Sequence, residues 1–156
     1  LIQDSKQLTS SQREEVFPYI HDVAHSVAVG QATAQEIDEI GIVPATNLAM
    51  ERALNSLALL PQFLLLDAFP LPNVDIPQKA IIKGDAKCLS IAAASIVAKV
   101  TRDRLMLEMD NLYPEYGFAG HKGYGSAGHI NKIEEIGPCP IHRYSFAPIR
   151  TSNYTR

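Results

Sequence analysis

A chain of 156 residues, 46% of them hydrophobic, is long enough to bury a core and fits a single domain. Fourteen basic side chains against seventeen acidic ones leave a net charge of −3, which excludes a generally basic nucleic-acid binder and confines any nucleic-acid site to a local patch. Cys88 and Cys139 lack zinc-like spacing, and the longest apolar run, Phe63-Leu64-Leu65-Leu66, is far too short to span a membrane, so a soluble protein of the reducing cytoplasm is expected.

Thr9 with Gln12 and Ser11 with Glu14 both have capping-box spacing, and Val16, Tyr19, Ile20 and Val23 follow at helical intervals. They predict a helix from about residue 9 to the low twenties. Val27 and Val29 alternate with small residues and predict a short strand over 26–30. Thr33 and Glu36 form a further capping box ahead of Ile37 and Ile40, with Gly41 as the helix stop. Leu48, Leu54, Leu57 and Leu60 predict a longer helix over 45–60 that Pro61 closes. The apolar run over 62–66 predicts a central strand covered on both faces and ending at Asp67. A loop bearing Pro70, Pro72 and Pro77 leads to a second apolar strand over 80–82, which ends at Lys83-Gly84-Asp85.

Ser90 is placed to cap a long helix reaching about residue 112, where Tyr113-Pro114 breaks it. Gly117, Gly120, Gly123 and Gly125 predict a loop. Ser126 then caps a last helix with Ile130, Ile133 and Ile136 as its stripe and Gly137 as its stop. Residues 151–156 form a polar tail expected to be flexible. With no internal repeat, strands alternating with helices favour an α/β architecture with a partly parallel sheet.

Asp67 and Asp85 each end a strand, at the sheet edge where α/β proteins bind ligands. Carboxylates there suit a hard cation that completes its shell with water and phosphate oxygens, and they equally suit capping of the following loop or helix. Asp103 and Asp110, inside a helix beside Arg102 and Arg104, read as surface or ion-pair residues. Gly120-His121-Lys122-Gly123-Tyr124-Gly125 offers a cation for phosphate and an aromatic hydroxyl for stacking or hydrogen bonding, or else a plain connection. Asp4-Ser5-Lys6 precedes a helix N-terminus, a setting that favours anions, or is a solvated leader. His142 and Arg143, ahead of Ser145-Phe146, serve either substrate or a core-closing turn.

Together and in this order, these segments resemble bacterial ribonuclease HII from Asp4 to about Arg150. The matching stretches are Asp4-Ser5-Lys6-Gln7-Leu8, Leu65-Leu66-Asp67, Lys83-Gly84-Asp85, the run from Ser90 through Ala92-Ala93-Ala94-Ser95 to Lys99-Val100-Thr101-Arg102-Asp103, Tyr116-Gly117-Phe118 with His121-Lys122-Gly123-Tyr124, and Ile141-His142-Arg143-Tyr144-Ser145-Phe146. The resemblance implies a ribonuclease H-like α/β fold, a mixed sheet flanked by helices, with residues 1–150 as a partial catalytic domain that lacks the first strands. It implies an endonuclease of four carboxylates and two Mn²⁺ or Mg²⁺ ions. Such an enzyme acts as a monomer on RNA–DNA hybrids and on ribonucleotide-containing duplex DNA, in ribonucleotide excision repair and DNA replication. Asp67 and Asp85 would be the third and fourth carboxylates and metal ligands. Ser5 and Lys6 would hold a backbone phosphate, Lys122 would meet another, and Tyr124 would sense the ribose 2′-hydroxyl.

The family's Asp-Glu pair and Gly-Arg-Gly loop have no counterpart in the 156 residues, so this chain by itself is expected to be inactive. Asp67-Ala68-Phe69 stands where the family commonly has Asp-Gly-Asn, which keeps the acid and alters the turn. The alternatives are ribonuclease HIII, which shares the catalytic core, and a non-catalytic module that binds hybrids without cutting them.

Overall fold

The computed structural model describes residues 2, 5–152 and 154; Asp4 of the Asp-Ser-Lys motif and tail residues 153, 155 and 156 lie outside the described residues. Two compact units are present. One comprises the described residues up to Gln31 together with Ala49–Thr101, the other Ala32–Leu48 together with the described residues from Arg102 onward.

In the first unit, α1 spans Ser10–Val23, and Thr9 caps it through the expected reciprocal box with Gln12. The box satisfies two of the backbone donors that a helix N-terminus leaves open. Val16 and Ile20, one turn apart, face the unit's core with Leu8. Opposite them stand Ile96, Val97 and Val100 of α5, the 24-residue helix Leu89–Leu112. Phe17, Val27 and Ala93 flank this cluster.

Residues 26–30 form no strand. The alternation of Val27 and Val29 is that of a strand, but the segment runs against helix α3, Ile42–Asn55, and has no ladder partner. Side chains hold it instead: Arg52 Nη1 donates to the Gln31 carbonyl at 2.7 Å, and Ser26 Oγ accepts from the Ala58 amide at 3.0 Å. Gly30 passes so close that an added Cβ would lie 1.9 Å from the Ala49 carbonyl oxygen. Helix α3 also starts earlier than expected and ends before the leucines at 57 and 60, where the ladder tightens to i,i+3 bonds from the Ser56 amide to the Ala53 carbonyl at 3.1 Å and from the Leu57 amide to the Leu54 carbonyl at 3.3 Å. Pro61 is therefore not the terminator, and Leu60 is exposed.

Strands β1, Leu64–Asp67, and β2, Gln78–Ile81, pair in parallel with Asp67 opposite Ile81. They are the only sheet among the described residues. The expected full burial of β1 is corrected: Leu64 and Leu66 are partly covered while Phe63 and Leu65 are exposed, since burial alternates along a strand that is covered on one face. The connection between the strands is organised by Gln78, whose side chain both accepts from the Leu71 amide and donates to the Leu71 carbonyl. It leaves Leu71 2% exposed.

The second unit contains α2, Ala34–Ile40, with the Thr33/Glu36 capping box and Gly41 at φ 84° as its stop, both as expected. It also contains the short helices α6, Phe118–His121, and α7, Ala127–Ile136, the latter capped by Ser126. Helix α4, Gly84–Lys87, belongs to the first unit. Met106, Tyr116, Phe118, Ile133, Cys139 and Ile149 form the second unit's core. The expected continuous loop over 117–125 is interrupted by α6, because Asp110 Oδ1 accepts from the Ala119 amide at 3.0 Å and satisfies the helix's first turn. Asp110 is thus a cap, and Asp103 is buried; neither is a plain surface residue. Past Ile149, Tyr154 still donates to the Ile133 carbonyl at 3.2 Å. No helix of the described residues is long and apolar enough to cross a membrane.

Gly30→Ala is expected to destabilise the intact protein by about 1–3 kcal/mol, since the methyl would overlap helix backbone that has no rotamer to yield. Urea denaturation reads this directly, and an unchanged midpoint would contradict the close approach.

Candidate active site

Parallel pairing sends both chain exits to the same end of the sheet, where Asp67 ends β1 and the turn after β2 leads to Asp85. After Asp67 the backbone turns sharply: Ala68 takes φ 65° and its amide donates to the Ile81 carbonyl at 3.0 Å, which extends the ladder by one bond. After β2, Lys83 takes φ 56° and turns the chain into α4. The left-handed turn aims the Gly84 amide at Asp67 Oδ1, 2.8 Å away. Space at Gly84 is tight. A Cβ at that position would lie 2.6 Å from Ile91 Cδ1 and 3.4 Å from the same Asp67 oxygen.

Asp85 follows immediately, in the first turn of α4, where a helix favours negative charge. Its carboxylate is only 11% exposed, and Lys6 Nζ approaches Oδ2 at 3.5 Å from a side chain that is 81% exposed. Screening by water makes such a pair a weak tether. The turn that carries Lys6 is fixed more firmly. Arg13 Nη1, from α1, donates to the carbonyls of Ser5 at 2.9 Å and Leu8 at 2.6 Å. Ser5 itself is buried.

Asp67, Asp85 and Lys6 are therefore gathered within the first unit. Among the described residues Gly84 is the one hydrogen-bond partner of the Asp67 carboxylate. Each acid offers hard oxygen donors, the chemistry that Mg²⁺ or Mn²⁺ takes from protein while leaving the rest of its shell to water and phosphate. No group of three or more His, Cys, Asp or Glu able to hold a metal occurs among the described residues, so the pair is a partial donor set.

Lys122 and Tyr124 belong to the second unit. Lys122, at φ 52°, closes α6, and Gly123 follows at φ 80°. Tyr124 is 64% exposed on the link to α7. Its main chain is held by hydrogen bonds from its own amide to the His121 carbonyl and from the Ser126 amide to its carbonyl, both 2.9 Å. His129 Nδ1 reaches the same Tyr124 carbonyl at 2.9 Å. His129 Nε2 meets His142 Nε2 at 3.0 Å, and His142 Nδ1 accepts from the Cys139 amide at 3.0 Å. The His121 ring stacks on His129 with centroids 4.0 Å apart.

Burial pushes His142 down to about 4, and burial likewise lowers His129, so both imidazoles are neutral near neutral pH. His142 thus belongs to a buried cluster. The adjoining turn is closed by Asp38, which accepts from the amides of Tyr144 and Ser145 at 2.9 and 2.8 Å and from Ser145 Oγ at 2.6 Å, while Arg143 stacks on Phe146 at 4.0 Å.

Sequence reasoning missed Arg13, Asp38 and His129. Their partners lie up to 107 positions away, and no local pattern marks them. Gly84 could have been found, since a glycine just before a strand-end acid is a sign of close backbone approach.

Because unfolded histidine titrates near 6.5 and folded His142 near 4, the unfolded chain takes up protons first as pH falls. The stability owed to the neutral cluster is complete above the upper value and is lost progressively toward the lower. The melting temperature of the intact protein is expected to drop between these values, and His142→Phe is expected to flatten the drop. An equally steep fall in that variant would assign the effect elsewhere.

The family model for ribonuclease HII matches residues 2–149. The chain is 56% identical over 151 residues to the ribonuclease HII of Lachnoclostridium phytofermentans, covering 97% of this chain and 59% of that protein. It is 55% identical over 149 residues to the ribonuclease HII of Desulfitobacterium hafniense strain Y51, covering 96% and 57%. The chain thus spans less than three-fifths of the length of these relatives. With the ribonuclease HII of Dehalococcoides mccartyi it shares 49% identity, and it covers 72% of that protein. The crystal structure of the ribonuclease H2 from Pyrococcus horikoshii OT3 superposes with a TM-score of 0.75 at 32% identity, covering 96% of this chain and 79% of that one. The shared architecture is the ribonuclease H-like α/β fold.

Proposed function

The chain belongs to the ribonuclease HII family, and from that we propose that residues 1–150 form most of the catalytic domain of an endoribonuclease. The enzyme hydrolyses the RNA strand of RNA–DNA hybrids and cuts 5′ to ribonucleotides embedded in duplex DNA. The observation that carries the reading is the Gly84 amide on Asp67 Oδ1, which anchors one strand-tip acid against the residue preceding the other.

Asp67 and Asp85 are the residues that would hold Mg²⁺ or Mn²⁺, which when bound supplies an activated water and charge neutralisation for phosphodiester hydrolysis. The chain's own groups do the rest. Gly84 fixes the direction of Asp67, and Lys6 balances the shielded charge of Asp85. Ser5 and Lys6, on the turn clamped by Arg13, receive a backbone phosphate, and Lys122 receives another. Tyr124 presents its exposed phenol to the ribose 2′-hydroxyl, a group that DNA lacks. Water adds to phosphorus, the bond to the 3′ oxygen breaks, and that oxygen leaves as a hydroxyl opposite a 5′-phosphate. The intact enzyme works as a monomer in the cytoplasm, in ribonucleotide excision repair and DNA replication. The partial donor set favours a second reading for the 156 residues alone: binding of hybrids without cutting.

In the intact protein, Asp67→Asn is expected to reduce Mn²⁺-dependent nicking of a duplex with one ribonucleotide to background; undiminished cutting would remove Asp67 from the site. Tyr124→Ala is expected to lose most on that same substrate and less on a uniform hybrid. Gel-resolved rates on the two substrates compare these losses, and an equal loss on both would refute ribose sensing.

A further inference from the structure

The loop that presents Tyr124 is underpinned by a buried chain of hydrogen bonds whose protons can be placed by elimination. A carbonyl only accepts, so the bond between His129 Nδ1 and the Tyr124 oxygen requires the proton on Nδ1. A neutral His129 then offers a lone pair at Nε2, and the 3.0 Å contact with His142 Nε2 requires that His142 carry its proton there. His142 Nδ1 is left as an acceptor, the role it plays toward the Cys139 amide at 3.0 Å and the Cys139 thiol at 3.1 Å; the Cys139 carbonyl, 3.2 Å from the same nitrogen, receives no proton in this arrangement and is the longest of the three contacts. The opposite pair of tautomers would set a lone pair of His129 against the Tyr124 carbonyl. This proton arrangement satisfies the Tyr124 carbonyl, the contact between the two imidazoles and the Cys139 amide, and leaves only the longer contact with the Cys139 carbonyl unmade.

Neither histidine touches solvent appreciably, and Phe118 lies edge-on to His129 and tilted against His142, both at 5.5–5.6 Å between centroids. His121 is fixed in the same manner, with Nε2 on the Tyr116 carbonyl at 2.8 Å and Nδ1 accepting from the Gly123 amide at 3.1 Å. The main chain on both sides of Tyr124 is thus gripped by imidazoles that belong to helices α6 and α7.

We propose that His129 and His142 are positioning residues for Tyr124, a directional neutral relay that fixes its peptide plane and with it the exit direction of its side chain. This rests on the reading of Tyr124 as the ribose sensor, and it adds the device that sets the sensor's aim. Core packing alone would need only aromatic bulk at these positions, whereas the relay needs a donor at one defined ring position of each.

The test compares the intact protein with Tyr124→Ala, His129→Ala, His129→Asn and His129→Gln, reading kcat/KM on a single-ribonucleotide duplex and on a uniform hybrid. Asparagine places its amide donor near the Nδ1 position and glutamine near Nε2. His129→Ala and His129→Gln are expected to reproduce the substrate profile of Tyr124→Ala, with a loss of about ten- to a hundredfold on the substrate that Tyr124 governs. His129→Asn is expected to recover most of it. In addition, ¹⁵N imidazole shifts of the wild type are expected to show protonated Nδ1 on His129 and protonated Nε2 on His142.

Should His129→Ala fail to fold, the Asn and Gln pair still decides, because equal activity in the two would overturn the proposal. A non-selective Tyr124→Ala profile would sink ribose sensing; the positioning role then stands if His129→Gln copies that profile and falls if it does not. The reverse tautomer pair in the shifts would also refute it.

Discussion

A single main-chain donor organises the acidic end of the first unit. The Gly84 amide can reach Asp67 only because β1 and β2 run parallel in a register that puts Asp67 opposite Ile81. Lys83 turns the chain through left-handed space to bring it there, and residue 84 sits close against Ile91. A hydrogen bond to a carboxylate is stronger than one between neutral groups, and it is directional, so it orients the acid as well as holding it. Asp85 inherits its place from the same turn. The acids are thus positioned by backbone, which places them more rigidly than two flexible side chains reaching toward each other.

The second unit meets a different demand. It buries two histidines and a cysteine among aromatic rings, and polar groups in such surroundings are costly unless each finds a partner. The solution is to keep the imidazoles neutral and chain them to backbone amides and carbonyls. Both ends of that chain are main-chain groups. Asp38 serves the neighbouring turn in a similar way, with one carboxylate accepting three donors.

Much of this was legible in the sequence wherever the determinant is local. The Thr9/Gln12 and Thr33/Glu36 boxes, the Gly41 and Gly137 stops and the Ser126 cap all work as their spacing predicts, since each is a contact over three or four residues. The acids at 67 and 85 could be found because apolar strands lead to them. What failed was non-local. The alternation at 26–30 looked like a strand, yet strands need partners, and this segment meets a helix instead. The leucines at 57 and 60 kept a helical period beyond the point where the ladder tightens to i,i+3 bonds and the helix ends. Asp110 read as a surface or ion-pair residue because Ala119, the amide it caps, is nine residues further on. His129 carries no pattern, and His142, read with Arg143 as serving substrate or a core-closing turn, lies in the buried cluster; their meeting depends on how α7 packs against the turn after Cys139.

The Asp38 tie also has a bearing on the order in which the molecule comes into being. It joins positions 106 and 107 apart, across a unit whose two parts are separated in the chain by most of the other unit. During synthesis, α2 emerges long before the turn it must clasp, and closing so long a loop costs entropy that nothing repays until the far end arrives. The sheet, α1 and the first half of α5 can consolidate while the ribosome is still decoding the rest. The aromatic and histidine core is accordingly completed after the acidic end of the first unit has been made, and a message ended between the two would yield the acids without the tyrosine's support.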